Sequence, residues 1–273
     1  MAFAPALTLA EVTTALAADF AMVSEVAVGG QGAVFKGSPI GNPSLEVAVK
    51  IYVGNQVDER TDREIAAIRG FRSPTIVTMH SAGQCVLRGN THRYLATEFI
   101  SGAPLDRLIA NGPLSISDTA KIARDVATAI EIIWQARIVH RDVKPSNILV
   151  RPDGSAVLVD LGVARHLQLA SLTTWGKTWG TEGYLSPEQM RGLRNLTCKS
   201  DIFGLGLVVQ EAIGGRHPTL GNQRALLNGG RMTSSISPNL PHEFVALVDA
   251  MVNGRPVVRP LPREVITRCQ PFI

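Results

Sequence analysis

The sequence predicts an α+β protein of two lobes: a small antiparallel, strand-rich lobe with one main helix, then a larger and mostly helical lobe. Three observations predict it. Strand-like runs and glycine turns dominate residues 21–100. From about Pro104 the apolar spacing becomes that of helices. With 273 residues and 45% hydrophobic side chains, the chain is long enough for well-buried cores, with a cleft at the junction near Ile100–Pro104. The expected boundaries are an N-terminal helical extension over 1–20, a first lobe over 21–100 and a second over 101–273.

Each element has its own justification. Thr8 and Glu11 have capping-box spacing, which starts a short helix. Leu9, Val12, Leu16 and Phe20 form an apolar stripe on it. A lone helix of that length is marginal in water, so the stripe needs a partner. That partner is the strand-rich lobe near the Glu64 helix, or a second copy of the chain in a homodimer; the alternative is a frayed terminus. "FAMVSEVAV" and "AVFKG" read as strands around a glycine turn, "LEVAVKIYV" alternates apolar and polar residues, and "RYLATEFI" is a further strand. The helix "DERTDREIAAIRGF" interrupts them, with Ile65, Ile68 and Phe71 on its apolar side. "SPTIVTMHSAG" follows, Pro74 marking the break.

In the second lobe a long helix lies in "LSISDTAKIARDVATAIEIIWQARIVH", with Ile122, Val126, Ile130 and Ile133 at helical spacing. Short strands "NILV" and "AVLVDL" flank a hairpin turn at Asp153-Gly154. A loop runs from Val163 to about Tyr184. Helices follow in "SDIFGLGLVVQEAIGG", "QRALLNGG", "PHEFVALVDAMVNG" and "LPREVITRC".

Composition narrows the partners. The net charge is +4, but no run of like charges marks a nucleic-acid surface. No stretch of 18 apolar residues suggests a membrane span. Cys85, Cys198 and Cys269 form neither metal-ligand spacing nor a disulfide framework, which fits a reducing, cytoplasmic compartment. The N-terminal segment lacks the basic start of a signal peptide and carries Glu11 and Asp19.

The stretch "EVAVGGQGAVFKG" poses the functional question. It is either a phosphate-holding loop whose first usual glycine is Ala27, or a hairpin turn that uses Gly29 and Gly30 for their permissive backbone. Later residues decide. His140-Arg141-Asp142, Lys144 and Asn147 fall within eight residues, and Asp160 follows in "LVDLGVAR". With "VAVK" at Lys50, "REIAAI" at Glu64, "GTEGYLSPE" at Glu188, "SDIFGLG" at Asp201 and Arg259, these motifs occur in the order of the eukaryotic-like (Hanks-type) Ser/Thr protein kinase family, which the chain resembles from Ala21 to about Arg268. Lysine-poor, arginine-rich usage suggests the bacterial type.

The resemblance implies a bilobal kinase fold and use of ATP with Mg²⁺. It implies that Lys50 clamps the α- and β-phosphates and that Glu64 holds Lys50 by an ion pair. Asp142 orients the substrate hydroxyl and accepts its proton, Lys144 contacts the transferring phosphate, and Asn147 and Asp160 ligate magnesium. Gly29, Gly30 and Gly32 approach the phosphates. Val34, Ala48 and Leu149 sandwich adenine, Thr97 is the gatekeeper, and the backbones of Glu98 and Ile100 bind adenine. Asp106 binds ribose or a basic substrate residue, or is a plain helix N-terminal carboxylate.

His140, Asp201, and Glu188 with Arg259 are structural by the same resemblance, and Thr181 bridges Asp142 and Lys144. Protein substrates are implied, the chain itself included at Thr173 or Thr174. An unmodified loop is the alternative, and Trp175 and Trp179 either pack the loop or form a docking surface. A pseudokinase switch and a small-molecule phosphotransferase are the competing function classes. The intact catalytic set argues against the first and "GTEGYLSPE" against the second.

Overall fold

The computed structural model of the chain describes residues 6–29, 32–52, 65, 69–160 and 183–273. The fold is α+β, in two compact units. One consists of the described residues up to Arg72 with Val77–Ile100. The other consists of Ser73–Ile76 with the described residues from Ser101 onward.

The first unit is an antiparallel sheet of β1 (Phe20–Gly29), β2 (Gly32–Pro39), β3 (Val47–Tyr52), β4 (Met79–Leu87) and β5 (Asn90–Glu98), in the order β1-β2-β3-β5-β4. Its register separates two faces. Phe35 lies opposite Val49, and Val49 opposite Ala96. On that face Ala33, Phe35, Val47, Val49, Ile51 and Ala96 are fully buried. On the other face Val34 lies opposite Lys50, and Ala48 opposite Thr97; all four are half-buried.

The apolar face is covered by α1 (Leu9–Ala15). The capping box forms as expected: Glu11 N–H donates to Thr8 Oγ1 at 3.3 Å, and Thr8 N–H donates to Glu11 Oε2 at 2.9 Å. Val12 and Leu16 are buried against the sheet, Leu7 joins them from outside the expected stripe, and Phe20, expected on the helix, is instead the buried first residue of β1. Leu9 is only partly buried. The stripe therefore finds its partner on the chain's own strand-rich unit, against β1 and β4. Glu64, beside which it was expected, lies outside the described residues.

Arg88, in the β4–β5 turn at φ 51°, ties the helix down. Its Nε donates to Glu11 Oε1 at 2.7 Å, and its Nη2 donates to Glu11 Oε2 and Ala6 O, each at 3.0 Å. Arg88 and then Thr8 hold the Glu11 carboxyl down at about 2, against an ordinary 4.5. A depressed carboxyl contributes its stability above the unfolded value and loses it as pH falls. Glu11→Gln should therefore lower Tm at pH 6–7, and the gap to wild type should close between pH 4.5 and about 2. A gap constant over that range in melting curves would contradict the latch.

"MHSAGQCVL" is a strand that the sequence reading did not identify. Its apolar positions are broken by Ser81, Gly83 and Gln84, so alternation is faint. Gly83 is there for space: an added Cβ would lie 2.6 Å from the Tyr94 hydroxyl.

The second unit is mostly helical. α2 (Leu105–Ala110) and α3 (Ile116–Gln135) come first, and Ser115 caps α3. Ile122, Val126, Ile130 and Ile133 are buried along α3, as their spacing predicts. α4 (Pro187–Met190) is capped by Ser186 and Gln189, a capping box that accounts for serine at that position. α5 (Cys198–Gly214) is buried almost all round and stops at Gly215, φ 69°. α6 (His242–Met251) and α7 (Pro262–Cys269) follow, with α7 packed on α3.

β6 (Ala103–Pro104), β7 (Ile148–Val150) and β8 (Ala156–Leu158) form a small antiparallel sheet. Its β7–β8 turn is the expected Asp153-Gly154, with Gly154 at φ 77°. "QRALLNGG" differs from expectation. It holds a single 3-10 turn, Gln223–Leu226, because the chain is drawn aside where Gly230 N–H bonds Val252 O at 2.7 Å.

Candidate active site

Asp142, Lys144 and Asn147, three of the site residues implied by the sequence, meet in the second unit. The chain leaving α3 enters a loop whose backbone is fixed by Asp201, in the first turn of α5 and 2% exposed. Asp201 Oδ2 accepts His140 N–H at 2.8 Å, and Oδ1 accepts Arg141 N–H at 2.7 Å. Burial pushes the Asp201 carboxyl up, against the opposing pull of His140 and the two amides. These bonds hold Arg141 at φ 67°, a left-handed conformation that a side-chain-bearing residue rarely adopts unaided. Gln189 Nε2 donates to Arg141 O at 3.0 Å.

His140, fully buried, is structural as expected. Its Nε2 lies 3.1 Å from Val159 O and donates, while Nδ1 accepts Asp142 N–H at 3.3 Å. Asp142, Lys144 and Asn147 then form one buried network. Lys144 Nζ lies 2.9 Å from Asp142 Oδ2. Asn147 Nδ2 donates to Asp142 Oδ2 at 3.0 Å and to Asp142 O at 2.8 Å. Asn147 sits on the 3-10 turn Pro145–Asn147, and its carbonyl accepts Val159 N–H at 2.9 Å. Asp160, at φ 60°, directly follows Val159 in the chain. A carboxylate held by a cation and an amide can take a proton from a hydroxyl and offer an oxygen to a hard cation.

The protein kinase domain family matches residues 20–269. The chain belongs to this family. Within it, the chain is 29% identical over 245 residues to a probable serine/threonine-protein kinase PknB of Lactococcus lactis, covering 88% of this chain and 36% of that protein. It is 29% identical over 244 residues to the serine/threonine-protein kinase PknA of Mycobacterium tuberculosis, covering 86% and 56%. It is 30% identical over 248 residues to PknL of the same organism, covering 86% and 61%. The chain thus spans between about a third and three-fifths of the length of these relatives.

Other kinase-motif positions fall in the first unit. Lys50 projects from the half-buried face of the sheet, with Val34, Ala48 and Thr97 around it by register. Its Nζ lies 5.0 Å from the Tyr52 ring centroid. Glu98 N–H is engaged by Thr78 O at 2.8 Å, and its carboxylate accepts Thr78 N–H at 3.0 Å. Ile100 is buried and ends this unit. Gly29 and Gly32 pair across the β1–β2 hairpin. Gly32 has a packing reason of its own, since an added Cβ would lie 2.1 Å from Ile51 O. Leu149 is half-buried on β7, in the second unit. Asp106 accepts Arg107 N–H at 2.9 Å in the first turn of α2, which is the plain reading of that carboxylate. Gly30, Glu64, Leu161, Thr173, Thr174, Trp175, Trp179 and Thr181 lie outside the described residues.

Magnesium characteristically takes one or two protein oxygens and completes its shell with phosphate and water. The donor set fits. Asn147 gives its amide nitrogen to Asp142, so its oxygen is the atom that would serve a cation, and Asp160 would add a carboxylate. No group of three or more His, Cys, Asp or Glu among the described residues could hold a metal alone, and none is needed.

Glu188 and Arg259 form the expected buried pair, at 2.7 and 2.9 Å. Residues that sequence reasoning missed are Gln189, His217 and Gln223, which bond backbone in this region. Only Gln189 left a signal, the S-x-x-Q spacing from Ser186.

Proposed function

We propose that this chain transfers the γ-phosphoryl group of ATP to Ser or Thr hydroxyls of proteins. The observation that carries the reading is the buried Asp142–Lys144–Asn147 network, whose Asn147 carbonyl binds the N–H of Val159, the residue before Asp160. ATP with magnesium supplies the phosphoryl group and the cationic charge when bound. Asp142 orients the acceptor hydroxyl and takes its proton. Lys144 places a positive charge next to that carboxylate, where the transferred group gathers negative charge. Asn147 and Asp160 hold magnesium, and Lys50, paired with Glu64, holds the α- and β-phosphates. Gly29, Gly30 and Gly32 bring backbone to the phosphates. Val34, Ala48 and Leu149 enclose adenine, Thr97 borders it, and the backbones of Glu98 and Ile100 bond it.

The same reading makes the chain its own substrate at Thr173 or Thr174. It places the chain in the cytoplasm, where the buried thiols Cys85, Cys198 and Cys269 stay reduced. No helix among the described residues is long and apolar enough to cross a membrane.

The test is transfer of labelled phosphate from Mg·ATP to the purified protein itself and to a generic basic protein. Asp142→Asn and Lys50→Met should each cut transfer by about a hundredfold or more while leaving the fold intact. Losses below about tenfold in either variant would overturn its assigned role. Absence of transfer in the wild type, with nucleotide still bound, would favour a pseudokinase.

A further inference from the structure

A group that takes a proton in the transition state must be aimed, and Asp142 is aimed from two directions. Its carboxylate is held by Lys144 and Asn147. Its backbone needs support of its own, because Arg141, the residue before it, sits at φ 67°.

The peptide group that joins Arg141 to Asp142 is bonded at both of its polar ends. Its N–H, that of Asp142, donates to His140 Nδ1 at 3.3 Å. Its C=O, that of Arg141, accepts Gln189 Nε2 at 3.0 Å. A peptide group is planar, so holding both ends fixes the torsions on either side. Those torsions set the direction in which the Asp142 side chain leaves the backbone. His140 belongs to the same loop, whereas Gln189 reaches in from α4, 48 positions away.

Gln189 cannot turn its amide over. Its Oε1 accepts Ser186 N–H and the Ser186 hydroxyl, each at 3.0 Å, and this leaves Nε2 to face Arg141 O. The helix beneath it is anchored in turn. Glu188, the preceding residue, is buried and bonded by Arg259 at 2.7 and 2.9 Å and by Ser200 at 2.7 Å. A continuous set of bonds therefore runs from Arg259 through Glu188 and α4 to the carbonyl before Asp142. The glutamine has two separable jobs: its oxygen caps α4, and its nitrogen holds the loop.

We propose that Gln189 is a positioning residue for phosphoryl transfer, a strut that holds the Arg141–Asp142 peptide group and so aims the Asp142 carboxylate. The inference rests on the kinase reading above. It adds a residue that acts through backbone rather than on the reacting atoms.

Steady-state transfer to a generic basic protein, with protein and Mg·ATP varied separately, tests it alongside melting curves. Gln189→Glu keeps the capping oxygen and loses the donor. It should lower kcat by about tenfold, with both KM values within about twofold of wild type and Tm within a few degrees. Gln189→Met, of similar length and uncharged, should lower kcat as far, which excludes the added charge as the cause. Ser186→Ala does the reverse: it removes the serine cap and keeps the donor. It should lower Tm while leaving kcat within about twofold of wild type. Exchange of the Asp142 amide should speed up in Gln189→Glu and not in Ser186→Ala. If the wild type transfers nothing, the kinase reading falls and this inference with it. If the wild type is active and Gln189→Glu keeps its kcat and its Asp142 exchange rate, or kcat falls only in variants whose Tm falls, this inference alone is overturned.

Discussion

Glu188→Ala should destabilise the protein by about 3–5 kcal/mol, because it strands a buried cation. Arg259 is 1% exposed, and all its N–H groups are spent. Nη1 donates to Glu188 Oε1 and Lys199 O, Nη2 to Glu188 Oε2 and Gly254 O, and Nε to Asn253 O. Its guanidinium lies 4.7 Å from the Phe203 ring centroid. Ser200 adds a bond to Glu188 Oε1 at 2.7 Å. Burial alone would raise the Glu188 carboxyl, but the Arg259 and Ser200 bonds outweigh it and leave the pKa lowered.

Truncating Glu188 removes two of the five bonds and leaves the positive charge with carbonyls only. For a chain of this size the loss corresponds to a fall in Tm of roughly 6–20 °C. Replacing both partners, as in Glu188→Leu with Arg259→Met, should cost far less than the sum of the single changes. Thermal melts of the four proteins decide it. A Glu188→Ala protein that melts with the wild type would mean that the pair contributes nothing to stability.

What was legible in the sequence follows from how locally each feature is encoded. The cluster of Asp142, Lys144 and Asn147 was readable because the three lie close together in sequence, in a loop ending on the 3-10 turn Pro145–Asn147, while their roles came from the family resemblance. The sheet face bearing Lys50 was readable because "VAVKIY" alternates with period two, so the pleat alone sends Ala48 and Lys50 to one side. Asp201 and Glu188 were readable only through the family's motif order, since each acts on a residue about 60 or more positions away.

The rest left no periodic trace. Arg88 reaches Glu11 across 77 positions, and Gln223 reaches Gly183 across 40. Both act by side-chain bonds that carry no spacing rule. β4 was missed because Gly83 and Ser81 interrupt its alternation, although Cys85 and Leu87 are buried.

Deleting Met1–Ala18 should have a larger effect still, because α1 is part of the core of the strand-rich unit. Leu7, Val12 and Leu16 are at most 1% exposed. At about 1.5–3 kcal/mol each, their burial contributes on the order of 5–9 kcal/mol as an upper bound. That is comparable to the whole stability of a typical domain. The deletion also strips cover from Phe35, Val47, Val49 and Ile51, opening an apolar sheet face that water does not tolerate.

The consequence reaches the Lys50 face of the sheet through β3. Val49 and Ile51 flank Lys50 on one strand and point to α1, so loosening their packing loosens the strand that carries the lysine. The truncated chain should therefore aggregate or bind a hydrophobic dye, and any soluble fraction should bind Mg·ATP weakly. Leu16→Ala, which keeps the helix and its Glu11–Arg88 tie, should lower stability by about 2–5 kcal/mol. Dye binding, melting curves and nucleotide titration of both variants provide the measurement. A truncated protein that stays soluble, melts with the wild type and binds nucleotide equally would show that α1 is an appendage and that the sheet closes its core without it.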